Sequence, residues 1–389
     1  MTKINKWTLG LAALGLVSLP AVVQADEKPN QLLTALSTTT ISGYVDTSAH
    51  WTLGSGNAHP PGYSFNGPNK QDGFNVNAVN VVLEKPLDEG TWSAGYKVDL
   101  IYGANAIGFN NTVLSSTKSA SDSDLGIKQA YVALRAPIGN GIDLKVGTFD
   151  TIIGYEVFNS GSNPNYTRSY GYTLEPTQHT GVLAAYQFNK IIGVSAGIAN
   201  TWAAGINARS GRGEADKSYM GAVTITAPES FGSFAGSALY LGIVDGYTSL
   251  VGNDVTSYYI GGTLATPIKA LKVGAAFDYA RAHDNGLPNT GYSESLALYA
   301  SVQAAEHLSF HLRGEWAEFT QTAAVAGLGQ EVLAVTATIQ YDLWANVLSR
   351  LELRWDHISD GSSSYGESRT GEPNKRDEFL LAANIIYKF

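Results

Sequence analysis

The chain of 389 residues contains no cysteine and only 2 methionines. In an exported protein the missing cysteine excludes a disulfide scaffold and a thiolate metal site. Long apolar runs are missing too. After residue 25 nothing reaches the roughly 18 apolar residues that a spanning helix needs. Catalytic signatures are equally scarce: no H-E-x-x-H, no G-x-S-x-G elbow, and no phosphate-binding glycine loop leading into a helix. Basic residues are the minority charge, 25 against 34 acidic, for a net charge of −9. An acidic chain is a poor partner for nucleic acid.

What is abundant points to strands. Glycine (42), tyrosine (21) and tryptophan (7) suit turns and extended segments. Mean hydropathy is near zero, as in a membrane barrel with a polar interior. The stretch 377–389, DEFLLAANIIYKF, alternates with period two. Phe379, Leu381, Ala383, Ile385, Tyr387 and Phe389 make one apolar face that gains aromatics towards its end. An edge strand of a secreted sandwich would alternate in the same way, but an aromatic-tipped apolar face fits a strand with lipid on one side.

The rhythm recurs upstream. Trp92, Ala94, Tyr96, Val98 and Leu100 alternate with Lys97 and Asp99. Leu308, Phe310 and Leu312 alternate with His311, Arg313 and Glu315. Leu351, Leu353 and Trp355 alternate with Arg350, Glu352, Arg354 and Asp356. Charged and apolar residues interleaved in this way match lipid outside and water inside.

The chain opens with the pattern of a secretory leader over 1–25: Lys3 and Lys6, an apolar run from Trp7, and Val23-Gln24-Ala25 as a cleavage site. Without it, 23 basic residues face 34 acidic ones. Residues 26–38 read as a periplasmic segment, either a brief helix or a plug at the barrel foot. From 39 onward, short connections (86–90, 137–141, 189–190, 227–232, 267–270, 305–307, 342–346) alternate with long polar ones (52–73, 103–124, 150–178, 203–216, 245–254, 282–291, 320–329, 359–376). That predicts an all-β, antiparallel up-and-down transmembrane barrel over 39–389. It has short periplasmic turns, long extracellular loops and about sixteen strands, within about 14–18. Such a barrel leaves an aqueous channel.

Ordered residues between Leu83 and Gly181 carry a family resemblance. They run from Glu84-Lys85-Pro86-Leu87-Asp88-Glu89 with Trp92 and Gly95-Tyr96-Lys97-Val98-Asp99-Leu100 to Ile127-Lys128-Gln129-Ala130-Tyr131-Val132. They continue through Lys145-Val146-Gly147-Thr148-Phe149-Asp150-Thr151 and Gly154-Tyr155-Glu156-Val157. Asn163-Pro164-Asn165-Tyr166, Arg168-Ser169-Tyr170, Glu175-Pro176 and His179-Thr180-Gly181 complete the set. This stretch resembles the putative beta-barrel porin-2 (OmpL-like) family of Gram-negative outer-membrane proteins. The resemblance implies a porin-like barrel and leaves the solute undefined. The last strand likewise resembles the closing strand of outer-membrane barrels, in which Tyr387 and Phe389 would be read as an assembly signal. General porins are commonly trimers, so the analogy implies a homotrimer in contact with lipid, lipopolysaccharide and the barrel assembly machinery.

The 150–178 connection is the longest and third among the long ones. By analogy with general porins it is expected to fold into the lumen as a constriction bearing Asp150, Glu156, Arg168 and Glu175, with His179 just after. The alternative is an external loop pinned by a Glu156–Arg168 pair. Strand order sets it opposite Arg313, Arg350 and Arg354, so a field across the pore is one expectation. Neutralisation by Glu315, Glu352 and Asp356 along the wall is the other. Lys97 and Asp99 complete the wall charges. Tyr44, Phe149 and Tyr131 fall on the less apolar faces, where they could stack on sugars or sit at the membrane interface.

Other functions have weaker signals. Asp122-Ser123-Asp124 offers two carboxylates to a calcium ion, a sparse ligand set. A barrel-wall esterase would draw on His50, His179, His311 or His357, and an adhesin on the 52–73 and 359–376 loops. The best reading is a non-enzymatic porin without cofactor or metal, passing small hydrophilic solutes.

Overall fold

The computed structural model describes residues 39–53, 59–67, 70–88, 92–106, 125–203, 206–249, 252–283, 290–320 and 330–389. The leader, the 26–38 segment and the Asp122-Ser123-Asp124 triplet lie outside the described residues. Sixteen strands follow in order: β1 (Thr40–Leu53), β2 (Gly73–Lys85), β3 (Ser93–Tyr102), β4 (Leu125–Ala136), β5 (Ile142–Asp150), β6 (Gln178–Gln187), β7 (Ile192–Ala199), β8 (Ser218–Thr226), β9 (Ala238–Tyr247), β10 (Asp254–Ala265), β11 (Leu271–Ala282), β12 (Gly291–Ala305), β13 (Leu308–Phe319), β14 (Gln330–Trp344), β15 (Val347–Ile358) and β16 (Asp377–Lys388). One short helix, α1 (Tyr170–Leu174), lies in the third long loop.

Each strand pairs antiparallel with its chain neighbour, and β1 pairs with β16 to close the barrel. Closure leaves no unpaired edge, which a bilayer would not tolerate. At the seam Tyr44 stands opposite Lys388 and Leu53 opposite Phe379. Phe389 adds a further reciprocal backbone pair with Gly43, at 2.9 and 3.0 Å. A Cβ on Gly43 would stand 2.1 Å from the Asn80 carbonyl oxygen, so the seam needs glycine there.

Alternation places the two faces as the sequence predicts. On β15, Leu351 and Leu353 are 49% and 47% exposed, while Glu352 and Arg354 between them are 1% and 0% exposed. Apolar side chains thus cover the outside and charges turn inward. The connections shift from the sequence reading by a few residues, most of all between β8 and β9. The link between β8 and β9 extends to Ser237, because 3-10 turns over Glu229–Phe234 lengthen it.

Two register shifts prepare the interior. Asp46 pairs with Ala78 but Thr47 pairs with Val76, so Asn77 drops out of the ladder. Asp99 pairs with Gln129 but Leu100 with Ile127, so Lys128 does the same. A bulge re-aims the side chain it frees. Asn77 is fully buried and bonds Asp46 and Ser48, and Lys128 reaches Asp150 at the start of the third loop.

The interior holds loops as well as wall. Tyr63 of the first loop and Tyr170 and Leu174 of the third cluster with Phe319, Val332 and Ile358. Phe158 and Phe65 pack near Tyr44, Ile101 and Ile386. Ile152 and Ile153 join Leu183, Met220 and Val244 on another part of the wall.

Candidate functional site

Irregular backbone at membrane depth is tolerated only where other groups satisfy its N–H and C=O. The backbone of the connection between β5 and β6 is satisfied in this way by the charged side chains of β13 and β15, whatever its depth. Arginines take its carbonyls. Arg313 donates to Thr167 O at 2.8 Å and Arg168 O at 3.2 Å, and Arg354 donates to Arg168 O at 2.6 Å. Arg350 donates to Ser160 O, Asn163 O and Asn165 O at 3.1–3.2 Å. Lys388 on β16 reaches Gly161 O at 2.8 Å.

Carboxylates take the loop's N–H groups. Glu352 accepts from Tyr166 N at 2.6 Å and Thr167 N at 2.8 Å. Glu315 accepts from Tyr170 N at 2.7 Å, the first residue of α1. Ser169 caps that helix through Tyr172 N at 3.1 Å, and its own N–H bonds Glu156 at 2.9 Å. Tyr170 OH donates to Asp356 at 2.8 Å. The loop therefore hangs between strands that a local sequence window cannot bring together.

The wall charges are also paired among themselves. Arg313 binds Glu156 at 2.8 Å and Glu315 at 2.6 Å. Arg354 binds Asp356 at 2.8 Å and lies 3.8 Å from Glu315, with its guanidinium 3.6 Å above the Tyr63 ring. Arg313 and Arg354 are 0% exposed and Arg350 3%. The field expected between the acidic loop residues and these arginines would have to arise from buried side chains. The arginines are turned into loop backbone, and Glu315, Glu352 and Asp356 lie among them as the neutralising alternative anticipated. The suggested Glu156–Arg168 pair is not formed: Glu156 goes to Arg313, and Arg168 donates to Tyr166 O at 3.1 Å and Phe158 O at 2.6 Å.

The other predicted residues fall at separate places. Asp150 pairs with Lys128 and Lys97 with Glu84. Asp99 accepts from Asn80. His179 sits buried beside Phe149, with Nε2 3.1 Å from Thr151 Oγ1. Glu175 is buried against Asp278 on β11; burial first, then the neighbouring carboxyl, pushes the Glu175 carboxyl well above its ordinary range. Tyr44, Phe149 and Tyr131 all face inward, Tyr131 beneath the Lys145 ammonium at 4.8 Å.

The histidines do not assemble a catalytic set. His311 Nδ1 lies 2.8 Å from Ser301 Oγ, yet the only histidine–carboxylate contact among the described residues is His357–Asp377, on the outer face. Sequence reasoning named the 52–73 loop only as an adhesin surface and missed that its described part packs inside the barrel. Its Tyr63 and Phe65 pack on Arg354 and Arg168, and Ser64 N bonds Thr173 Oγ1 at 2.8 Å. The aromatics of 59–67 were its only signal.

Comparison with known proteins agrees with this architecture. Residues 38–389 match the model of the family described as putative beta-barrel porin-2, OmpL-like, and the chain belongs to that family. No curated protein sequence matches it. Among solved structures it is similar to an anion-selective porin from Comamonas acidovorans, at 14% identity and TM-score 0.58, covering 90% of this chain and 99% of that one. Salmonella typhi OmpF is similar at 10% identity and TM-score 0.59, covering 90% and 97%. The outer-membrane channel DcaP of Acinetobacter baumannii is similar at 12% and 0.56, covering 90% and 97%. At these identities the likeness is one of fold.

Proposed function

We propose that this outer-membrane porin-family chain is a passive diffusion channel for small hydrophilic solutes, narrowed by its 150–178 loop. One observation carries the reading: buried arginines and carboxylates of β13 and β15 bond both the carbonyls and the N–H groups of the loop backbone. Asp150, Glu156, Arg168, Glu175 and His179 belong to the constriction or its hinges. Arg313, Arg350 and Arg354 hold the loop, while Lys97 and Asp99 line the opposite wall. The acidic balance of the chain favours a mild preference for cations, with the lining rather than the total deciding selectivity.

The remaining assignments belong to the same reading. Residues 1–25 direct export, 26–38 form a periplasmic segment, and 39–389 form the barrel in the outer membrane. Its apolar outside faces lipid and lipopolysaccharide, and Tyr387 with Phe389 signals to the assembly machinery. A trimeric form is described for OmpT of Vibrio cholerae, which shares the fold, and a homotrimer is proposed here too.

Single-channel recording in a planar bilayer under a salt gradient tests the reading. Ohmic, weakly cation-selective steps are expected. A correctly folded barrel that stays silent would overturn the channel assignment.

A further inference from the structure

We infer that the small cavity where the first and third loops meet binds one anion of halide size. The cavity, about 20 Å³, is lined by His50, Tyr63, Lys70, Asn105, Tyr166 and Arg168 among others. Space of that order holds roughly one small occupant. Two of its lining groups are cations, and both are almost fully enclosed: Arg168 is 2% exposed and Lys70 5%. Among the described residues neither forms an ion pair. Buried charges are ordinarily paired, because an uncompensated one is costly.

The donors in the cavity are under-used. Arg168 spends its terminal nitrogens on carbonyls and keeps Nε without an acceptor. Lys70 Nζ has three protons and gives one to Asn105 Oδ1 at 2.6 Å. His50 Nδ1 has no partner either but adds no donor: Tyr166 OH gives its proton to Ser48 and Asn77, so Nε2 donates to Tyr166 and Nδ1 is the unprotonated nitrogen.

Nearby charges leave a positive excess. Arg350 and Lys388 bond the same 160–165 segment. Three carboxylates oppose these four cations: Asp342 near Lys388, and Asp46 and Glu352 near the others. Asp46 is held by Asn77 and Asn384, and Glu352 by Tyr166 N and Thr167 N. Burial pulls the Lys70 ammonium down to about 8, with Arg168 adding to the effect and Asp46 opposing it. A water would fill the space without offsetting either charge. A halide offsets both and ties the first loop to the third, whereas gluconate or sulfate is too large for the cavity.

The full chain, folded in detergent, is heated in sodium bromide or sodium gluconate at equal ionic strength. The midpoint of its heat-induced gel-mobility change is then read. The midpoint is expected to rise with bromide and saturate, and Lys70→Met is expected to abolish that response. Asn105→Asp places a built-in carboxylate beside Lys70. It is expected to raise the midpoint in gluconate and to lose the bromide dependence, which keeps the test decisive if Lys70→Met fails to fold. Equal midpoints for the unmodified chain in both salts would overturn the inference and leave a water in the cavity. An Asn105→Asp variant that responds to bromide like the unmodified chain would overturn it as well, placing the halide elsewhere.

Discussion

Two arcs of the barrel wall hold the same loop by opposite means. On β13 and β15 the inward residues are large and charged, and they grip the loop backbone through directional, charge-assisted bonds. On β8, β9 and β11 the inward residues include Ala222, Gly242, Val244, Gly274 and Ala276, small or plain apolar groups. There the loop fits by shape. A Cβ on Gly242 would meet Ile153 at 2.4 Å, and one on Gly274 would meet the Tyr155 hydroxyl at 2.1 Å. Tyr155 in turn stacks on Tyr299 at 4.0 Å. The charged arc sets where the loop sits, and the small arc makes room for its apolar flank.

Breaking the charged arc should have the largest effect. Arg313→Ala leaves Glu156 buried without an ion-pair partner and Glu315 with only the longer contact to Arg354, a loss of about 3–5 kcal/mol. Heat or urea unfolding followed by gel mobility should show the drop, and the surviving channels should open wider and noisier. Arg350→Met strips three loop carbonyls of their donor but strands no carboxylate within ion-pair distance. It should cost less, about 2 kcal/mol, with a clear conductance increase. If conductance is unchanged in both variants, the loop does not limit flow.

The contact between Glu175 of the loop and Asp278 of β11 joins two buried carboxyls and gives a pH test. A carboxyl whose folded pKa is raised binds its proton more tightly folded than unfolded. Its stabilising contribution is therefore full below the unfolded value near ~4.3 and falls as pH rises towards the folded value. Thermal midpoints measured across that range should decline with pH, and Glu175→Gln should flatten the decline. The smallest effect belongs to Gly274→Val. It meets only the tip of the Tyr155 ring, so a cost of about 1 kcal/mol and a slight conductance change are expected. A loss as large as that of Arg313→Ala would mean that shape, not charge, holds the loop.

Legibility from sequence divides along similar lines. Alternation in segments such as Arg350–Asp356 sufficed for strand count, facing and the lipid side, because period two is a local property. Strand order then placed Arg313, Arg350 and Arg354 opposite the third loop. The partners themselves were not legible. Glu156 chooses Arg313 over the nearer Arg168, and Glu352 captures two backbone N–H groups, since both contacts depend on how a folded loop meets a distant wall. The first loop's entry into the interior left no periodic trace either. His357 shows the converse: its place in the alternation with Arg354 and Asp356 already puts it on the outer face, away from any lumenal chemistry.

The seam has a consequence for the order of events in assembly. Asn384 bonds Asp46 across a separation of 338 residues, and Phe389 pairs with Gly43. Contacts of such range form late, since nearly the whole chain must be present before they can be made. The bonds from Arg313, Arg350 and Arg354 to the third loop likewise join residues synthesised far apart. During growth the curling sheet is therefore an open trough, and the loop must be drawn into it before the first and last strands zip together. A ring that sealed prematurely would close without the bonds between that loop and β13 and β15.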